Sequence, residues 1–425
     1  MPALSRHSLV NSALPLVVLI VAACAGGDAR AARTPGDSTT VSAASPAVAR
    51  DSSGGAAAQP APGATPAAAS PTGSGAPAAP VRVATPIDVD KEFPIVRALY
   101  VNRWKAQSSK EMRRMIQYAD DTEINALVID LKDEFGLNYT TSNAAWAKNA
   151  GTAGTIRNLP ALLDTLRAHK ILPIARLVVF KDSVAARVNP AHTIRKEDGG
   201  VWRDKKGLAW VNPYDRQIWD YNIGVAVELA KMGFSEIQFD YIRFPEPYKS
   251  LPNQVFANAN NVRKPDALAA FLKEADERLD KVGARSTADI FGLVTTVGGP
   301  LEIGQHWEKL APVTDVLLPM VYPSHYPPGS FGLKRPNAQP YETIKIAITE
   351  ARKRNEKMGI KKVEAVRPWL QAFTLGAPAY GANEIREQKR AVYDSGYDGW
   401  VLWAPGSKYE TFMPAMEKTL VSRKK

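Results

Sequence analysis

The sequence predicts an α/β protein built as a (β/α)8 TIM barrel, and three observations carry that prediction. From about residue 87 onward, short apolar runs alternate strictly with longer amphipathic stretches, the order that produces parallel strands joined by crossover helices. Eight such units fit into residues 87–425, which suits a barrel carrying some insertions. Polar residues within the apolar runs gather at their C-terminal ends, the face on which such barrels do chemistry.

The first strand is expected at Arg97–Val101, followed by a helix over Ser108–Thr122 with Ser108 or Ser109 as its cap. The second is Ala126–Leu131, then a helix near Leu159–His169. The third is Leu172–Val179, with a helix at Asp215–Met232. The fourth is Glu236–Ile242, with a helix at about Pro265–Val282. The fifth is placed at Ile290–Thr295, with a short helix near Glu302–Leu310. The sixth is Val316–Tyr322, with a helix at Tyr341–Lys357. The seventh is Ala365–Gln371, with a helix at Asn383–Ser395. The eighth is Gly399–Trp403, and a last helix is expected at Lys408–Leu420. Most of the strands are near-continuous apolar runs, as both-faces-buried parallel strands require. An open doubly wound sheet is the rival architecture, but it usually carries a glycine-rich loop after its first strand. Here that strand runs into Val101-Asn102-Arg103-Trp104, and no P-loop pattern occurs; the stretch Gly299 to Gly304 is followed by Gln305 instead of lysine.

Two segments precede the barrel. Residues 1–24 read as a secretory leader, with Arg6 and His7 at its start and an apolar stretch at Leu14–Val21. That stretch is too short to span a bilayer, which takes about 20 apolar residues. It closes as Val21-Ala22-Ala23-Cys24, which resembles the bacterial lipobox, whose cysteine is lipidated and becomes the new N-terminus. An ordinary cleavage site with an incidental cysteine is the plainer alternative. The lipobox implies an exported chain held by lipid at the cell envelope, on the outer membrane or the periplasmic face, and more than one acyl tail anchors stably. Residues 25–86 are almost entirely Ala, Pro, Ser, Gly and Thr. They cannot bury enough apolar surface to offset their chain entropy, and so read as a disordered spacer.

Composition excludes several chemistries. Cys24 is the single cysteine in 425 residues, so an intramolecular disulfide and a cysteine-rich zinc site are out. Five histidines, none in an H-x-x-x-H pair, argue against a histidine-built metal site, and no cofactor is expected. The formal charge of +11 could suit an acidic polymer. Nucleic acid fits badly, since the chain is exported and no basic run with interleaved aromatics precedes the terminal Arg423-Lys424-Lys425. An anionic glycan suits a positive exported domain better.

The second run ends in Asp130-Leu131-Lys132-Asp133-Glu134, the third carries Arg176, and the fourth ends in Phe239-Asp240-Tyr241-Ile242-Arg243-Phe244-Pro245. Side chains alternate faces along a strand, so Asp240 shares its face with Gln238, and Asp130 with Lys132. A carboxylate on a buried strand is costly unless paired. Asp240 could therefore be a structural partner of Arg243 or Arg176, and Asp130 of Lys132; alternatively each faces a substrate. Trp104, Trp202, Trp210, Tyr322 and Trp403 fall near strand ends or in long loops, where they line a sugar cleft or simply pack in the core. The long polar insertion at 180–211 is a candidate binding element.

The strings Leu127–Gly136 (LVIDLKDEFG), Phe239–Pro245 (FDYIRFP) and Leu317–Tyr326 (LLPMVYPSHY) together resemble a bacterial family of uncharacterised domains labelled as glycoside hydrolases. That family is regarded as a (β/α)8 barrel distantly similar to the α-amylase-like glycosidases. The resemblance spans about Glu92 to Met416 and implies that Asp240 occupies the position of a catalytic carboxylate. The α-amylase pattern carries arginine two residues before that aspartate, where this chain has Gln238. It also places an acid at the end of the fifth strand, where this chain reads Leu293-Val294-Thr295-Thr296. Glycoside hydrolysis normally takes two carboxyl groups. Asp240 is assigned as nucleophile or base, and Asp130 is the first candidate for the acid, with Glu246 second and Asp133 and Glu134 also in range. Arg176, Arg243, Tyr322, Gln371, Trp104 and Trp403 are the candidate substrate contacts. The expected partner is a polysaccharide or oligosaccharide of the envelope or beyond it. A non-catalytic carbohydrate-binding barrel is the alternative, favoured by the missing fifth-strand acid.

Overall fold

The computed structural model describes residues 87–425 apart from 152 and 363. The expected leader, tether and lipidated Cys24 lie outside the described residues. Eight parallel strands close on themselves: β1 (Arg97–Val101), β2 (Ala126–Asp133), β3 (Leu172–Val178), β4 (Glu236–Asp240), β5 (Arg285–Phe291), β6 (Val316–Met320), β7 (Trp369–Gln371) and β8 (Trp400–Trp403). Each pairs with the next, and β1 pairs with both β2 and β8, so no edge is left open. A two-residue antiparallel segment, Gly136–Leu137, folds back on the end of β2.

Six long helices wrap the barrel: α1 (Ser109–Asp121), α2 (Leu159–Ala168), α3 (Arg216–Met232), α4 (Lys264–Asp280), α5 (Pro340–Lys357) and α6 (Ala382–Asp394). Their starts follow from local chemistry. The side chains of Ser108, Asn158 and Asp215 accept backbone N–H groups of the first turns of α1, α2 and α3. α3 stops at Gly233, whose φ of 123° a side chain resists.

The strand alternation divides the apolar residues into two sets. Ala98, Val128, Ile174, Leu318 and Val401 pack together inside the barrel. Leu99, Ile129, Leu177, Phe239 and Leu402 face the helices. Above the interior apolar layer, at the C-terminal ends of the strands, the inward positions turn polar.

Three expectations are corrected. The expected helix at Lys408–Leu420 is absent; only a short turn at Met413–Ala415 forms, because Pro414 has no N–H to donate and disfavours helix at the residue before it. The fifth strand lies at Arg285–Phe291, five residues earlier than expected at its start, and Gly292–Thr295 is a 3-10 turn. Finally, the β2–β3 register shifts between Asp130 and Lys132. This bulge breaks the alternation and turns Lys132 toward Asp182 (2.8 Å) and the ring of Tyr221 on α3. Asp130 and Lys132 therefore do not form a pair.

Candidate active site

The polar layer centres on Arg176 of β3. Its Nη1 donates to Asp130 Oδ1 of β2 at 2.5 Å. Its Nε donates to Asp240 Oδ2 of β4 at 3.1 Å, and Nη2 donates to the same oxygen. Its Nε also lies 3.8 Å from Asp289 Oδ2 of β5. Four consecutive strands thus bring three carboxyl groups around one guanidinium. Register explains how. Arg176 is level with both Asp130 and Gln238, so the strand next to β4 supplies an arginine at the level of Gln238, two residues before Asp240.

The three carboxyls differ in their surroundings. Asp240 accepts the backbone N–H of Tyr241 at 2.5 Å in addition to Arg176. Its side chain keeps 10% exposure, against 4% for Asp130 and 0% for Asp289. Asp130 also accepts the hydroxyl proton of Tyr100 on β1. Burial lifts the Asp130 carboxyl above its ordinary range, against the opposing pull of Arg176 and Tyr100. Burial, reinforced by the charge of Asp240, pushes Asp289 well above the carboxylate range. Burial also works against the charge on Arg176, but the facing Asp130 and Asp240 outweigh it and hold the guanidinium charged. Behind this layer, burial and then the charge of Asp130 push Asp133 up to about 7, although Arg103 pairs with it.

Asp289 is the acid that sequence reasoning missed. It accepts from Gln238 Nε2 at 2.8 Å and from Trp369 Nε1 at 2.6 Å. The expectation of a fifth strand without an acid is overturned, because the strand that forms is the more polar stretch preceding the one chosen. Strand alternation from Thr287 would have found Asp289 once the strand was correctly placed.

The other expected residues take these places. Glu246 sits beyond β4 with its carboxylate 3.1 Å from Arg243 Nη1. The Arg243 guanidinium lies about equally close to the rings of Trp210, Tyr241 and Phe291. Gln371 spends its amide on the loops, accepting from Ser324 N at 3.0 Å and donating to Phe373 O at 3.0 Å. Tyr322 and Trp403 stack, with centroids 5.0 Å apart and planes at 27°. Phe373, not singled out from sequence, packs edge-on to both. Trp104, on the one-turn helix Arg103–Ala106 after β1, is 53% exposed and sits 6.3 Å from the ring of exposed Phe135 in the turn after β2. Trp202 and Trp210 are core residues of the insertion, their indole N–H groups bonded to Pro252 O and Asp204. Among the described residues no group of three or more His, Cys, Asp or Glu side chains could hold a metal ion.

A strand-end carboxyl cluster beside stacked aromatics is an arrangement that can protonate and attack a glycosidic bond. Comparison with known proteins agrees with that class. No curated protein matches the sequence. Among solved structures, a hypothetical protein from Ruminiclostridium thermocellum ATCC 27405 is 34% identical over 45% of this chain and 96% of its own, with a TM-score of 0.41. The PgaB (BpsB) glycoside hydrolase domain from Bordetella bronchiseptica is 14% identical over 76% of this chain and 99% of its own, with a TM-score of 0.54, a likeness of fold. The spore cortex-lytic enzyme SleL from Bacillus megaterium QM B1551 is 12% identical over 77% of this chain and 74% of its own, with a TM-score of 0.46. Residues 98–409 match the model of the family described as "Putative glycosyl hydrolase domain". The chain belongs to this glycosyl hydrolase domain family.

Proposed function

We propose that this protein is a glycoside hydrolase acting on a cell-envelope or extracellular polysaccharide, with Asp240 and Asp130 as its working carboxyl pair. The observation that carries the reading is the guanidinium of Arg176 shared between them at the C-terminal face of the barrel. Asp240, the more exposed of the pair and bonded only by N–H donors in the described contacts, acts as the carboxylate that attacks the anomeric carbon or activates water. Asp130, raised by burial, donates its proton to the leaving glycosidic oxygen. The cation of Arg176 and the hydroxyl of Tyr100 then stabilise the Asp130 carboxylate that results. Asp289 makes contact with Gln238, Trp369 and Arg176, and positions the cluster from below. The leader ending in Cys24 supports an envelope location, tethered by lipid through residues 25–86.

The test is reducing-end release from a panel of envelope and extracellular glycans. Asp240→Asn is expected to slow release by about 100- to 10,000-fold while leaving the thermal midpoint within a few degrees. Release at the wild-type rate by this variant removes Asp240 from the mechanism. A second reading, a non-catalytic carbohydrate-binding barrel, draws on the fact that both carboxylates are already satisfied by Arg176. Saturable binding with no release supports that reading instead.

A further inference from the structure

Lys181 follows the end of β3 by three residues and is 4% exposed. Its ammonium makes no hydrogen bond and no ion pair among the described residues. Its one recorded contact is with the face of the Tyr241 ring, 4.8 Å from the centroid. Tyr241 directly follows Asp240, and its carbonyl accepts the N–H of Phe180, the residue before Lys181. The lysine is therefore fastened beside the carboxyl cluster, on the same mouth of the barrel.

A buried cation without a counter-charge is an expensive feature, and an aromatic face offsets only part of the cost. The charges around Lys181 do not supply the balance. Asp204 is occupied by the indole of Trp210 and the backbone of its own turn, and Glu134 acts only from beyond ion-pair distance. Arg243 and Lys206 add positive charge on the same side, and Arg243 is itself engaged by Glu246 and three rings. The contrast with Lys132 is direct. That lysine, equally buried on the preceding strand, has Asp182 at 2.8 Å. Other buried lysines and arginines of the barrel show the same pattern: Arg97 and Lys389 share Glu123, and Arg367 has Glu236.

We propose that Lys181 receives the carboxylate of an acidic sugar, so that the substrate of this barrel is a glycan containing uronic-acid-type residues. The inference rests on the glycoside hydrolase reading for its choice of a sugar. A single ammonium with three donors matches a singly charged carboxylate. Its charge also offsets the repulsion that an anionic sugar would meet from Asp240, the residue before the Tyr241 whose ring Lys181 faces. Burial lowers the affinity of Lys181 for its own proton in the free protein, so a bound carboxylate replaces the missing partner and restores the charged form.

The test uses the full-length chain carrying Asp240→Asn, to stop turnover, and measures binding by calorimetry. The probes are oligogalacturonate and oligomannuronate of defined length, each against its carboxyl-reduced counterpart. The parent is expected to prefer at least one carboxylated form by about tenfold or more. Adding Lys181→Met erases that preference, and Lys181→Arg retains most of it. Thermal midpoints separate a binding role from a structural one: Lys181→Met removes an unpaired buried charge, so its midpoint is expected to stay level or rise. The proposal is overturned by equal affinity for acidic and reduced probes, by failure of any carboxylated probe to bind, or by a preference that survives Lys181→Met. Carboxylate preference without cleavage by the Asp240-intact chain leaves the lysine's role standing and removes the hydrolase reading. Cleavage without preference does the reverse.

Discussion

Trp369 donates its indole N–H to Asp289 at 2.6 Å, tying β7 to β5 past the intervening strand. Gln238 of β4 donates to the same carboxyl, so a single acidic side chain joins three strands beneath Arg176. Burial next to Asp240 pushes Asp289 well above the ordinary carboxylate range, which favours its protonated form. Asp289→Asn preserves shape and an acceptor, and is expected to fold with nearly wild-type stability. Asp289→Leu strands the Trp369 and Gln238 donors in the core and is expected to cost about 2–4 kcal/mol in urea unfolding. Equal losses in the two variants would show that Asp289 is charged in the native protein.

The barrel was legible in the sequence because both-faces-buried strands write themselves as apolar runs; β1 matches its expected bounds at both ends. β5 did not, and the reason is physical. Its side chains Ser286, Thr287 and Asp289 are polar, and each is satisfied by a distant residue: Asp276, the carbonyl of Ile237, and Trp369 with Gln238. Nothing local announces those partners, while the adjacent Ile290–Thr295 stretch has the apolar look of a strand. Gly292 marks the true end, since a Cβ there would meet Met320 O at 2.5 Å. The same limit applies to the site. Alternation puts Gln238 on the same face as Asp240, but Arg176, the common partner of Asp130 and Asp240, is 46 and 64 residues from them, and the bulge that turns Lys132 away leaves no trace in composition.

Asp133 gives the protein a predictable pH dependence. Its carboxyl titrates at about 7 in the folded chain, against about 3.9 when unfolded. Between those values the native state holds the extra proton, so this group subtracts stability as pH rises from about 4 to 7 and nothing further above that. Asp133→Asn removes the effect. Its midpoint relative to wild type is expected to rise by roughly 5 °C or more between pH 4.5 and 7.5. A difference that stays constant or falls across that window would contradict the raised carboxyl.

Arg176 holds the carboxyls against each other. Arg176→Met leaves Asp130 and Asp240 buried without their cation, at a cost of about 3–5 kcal/mol at neutral pH. Arg176→Lys keeps the charge but cannot span both carboxylates as a planar fork does, and is expected to fall between the two. Urea unfolding at pH 7.5 measures both variants. A methionine variant as stable as wild type at pH 7.5 would rule out the electrostatic role.

The chain end takes the place of the expected last helix as a latch under the barrel. Asp398 accepts from Ser422 Oγ at 2.6 Å and from the backbone N–H groups of Arg423 (2.6 Å) and Lys424 (3.0 Å). Arg97 donates to Val421 O at 2.9 Å. Ending the chain before Leu420 is expected to cost about 2–5 kcal/mol, because it strands buried Asp398 and Arg97 groups. Replacing Arg423 and Lys424 together by alanine keeps the backbone donors and is expected to cost under about 1 kcal/mol. Similar losses in the two variants would place the latch in the basic side chains instead.

Trp403 completes the aromatic wall beside the carboxyls. It is half-buried at the end of β8, stacked on Tyr322 and met edge-on by Phe373. Its remaining exposed surface, at the C-terminal end of β8, belongs to an aromatic side chain suited to the C–H face of a sugar ring. Trp403→Ala removes that face and uncovers Tyr322, and is expected to raise KM by about tenfold, an aromatic contact of about 1.4 kcal/mol, with a smaller change in kcat. Trp403→Phe keeps part of the stack and is expected to raise KM about threefold or less. Steady-state kinetics on the glycan that the panel identifies decides the point. A loss confined to kcat would mean that the ring orients the carboxyl cluster and does not bind the sugar.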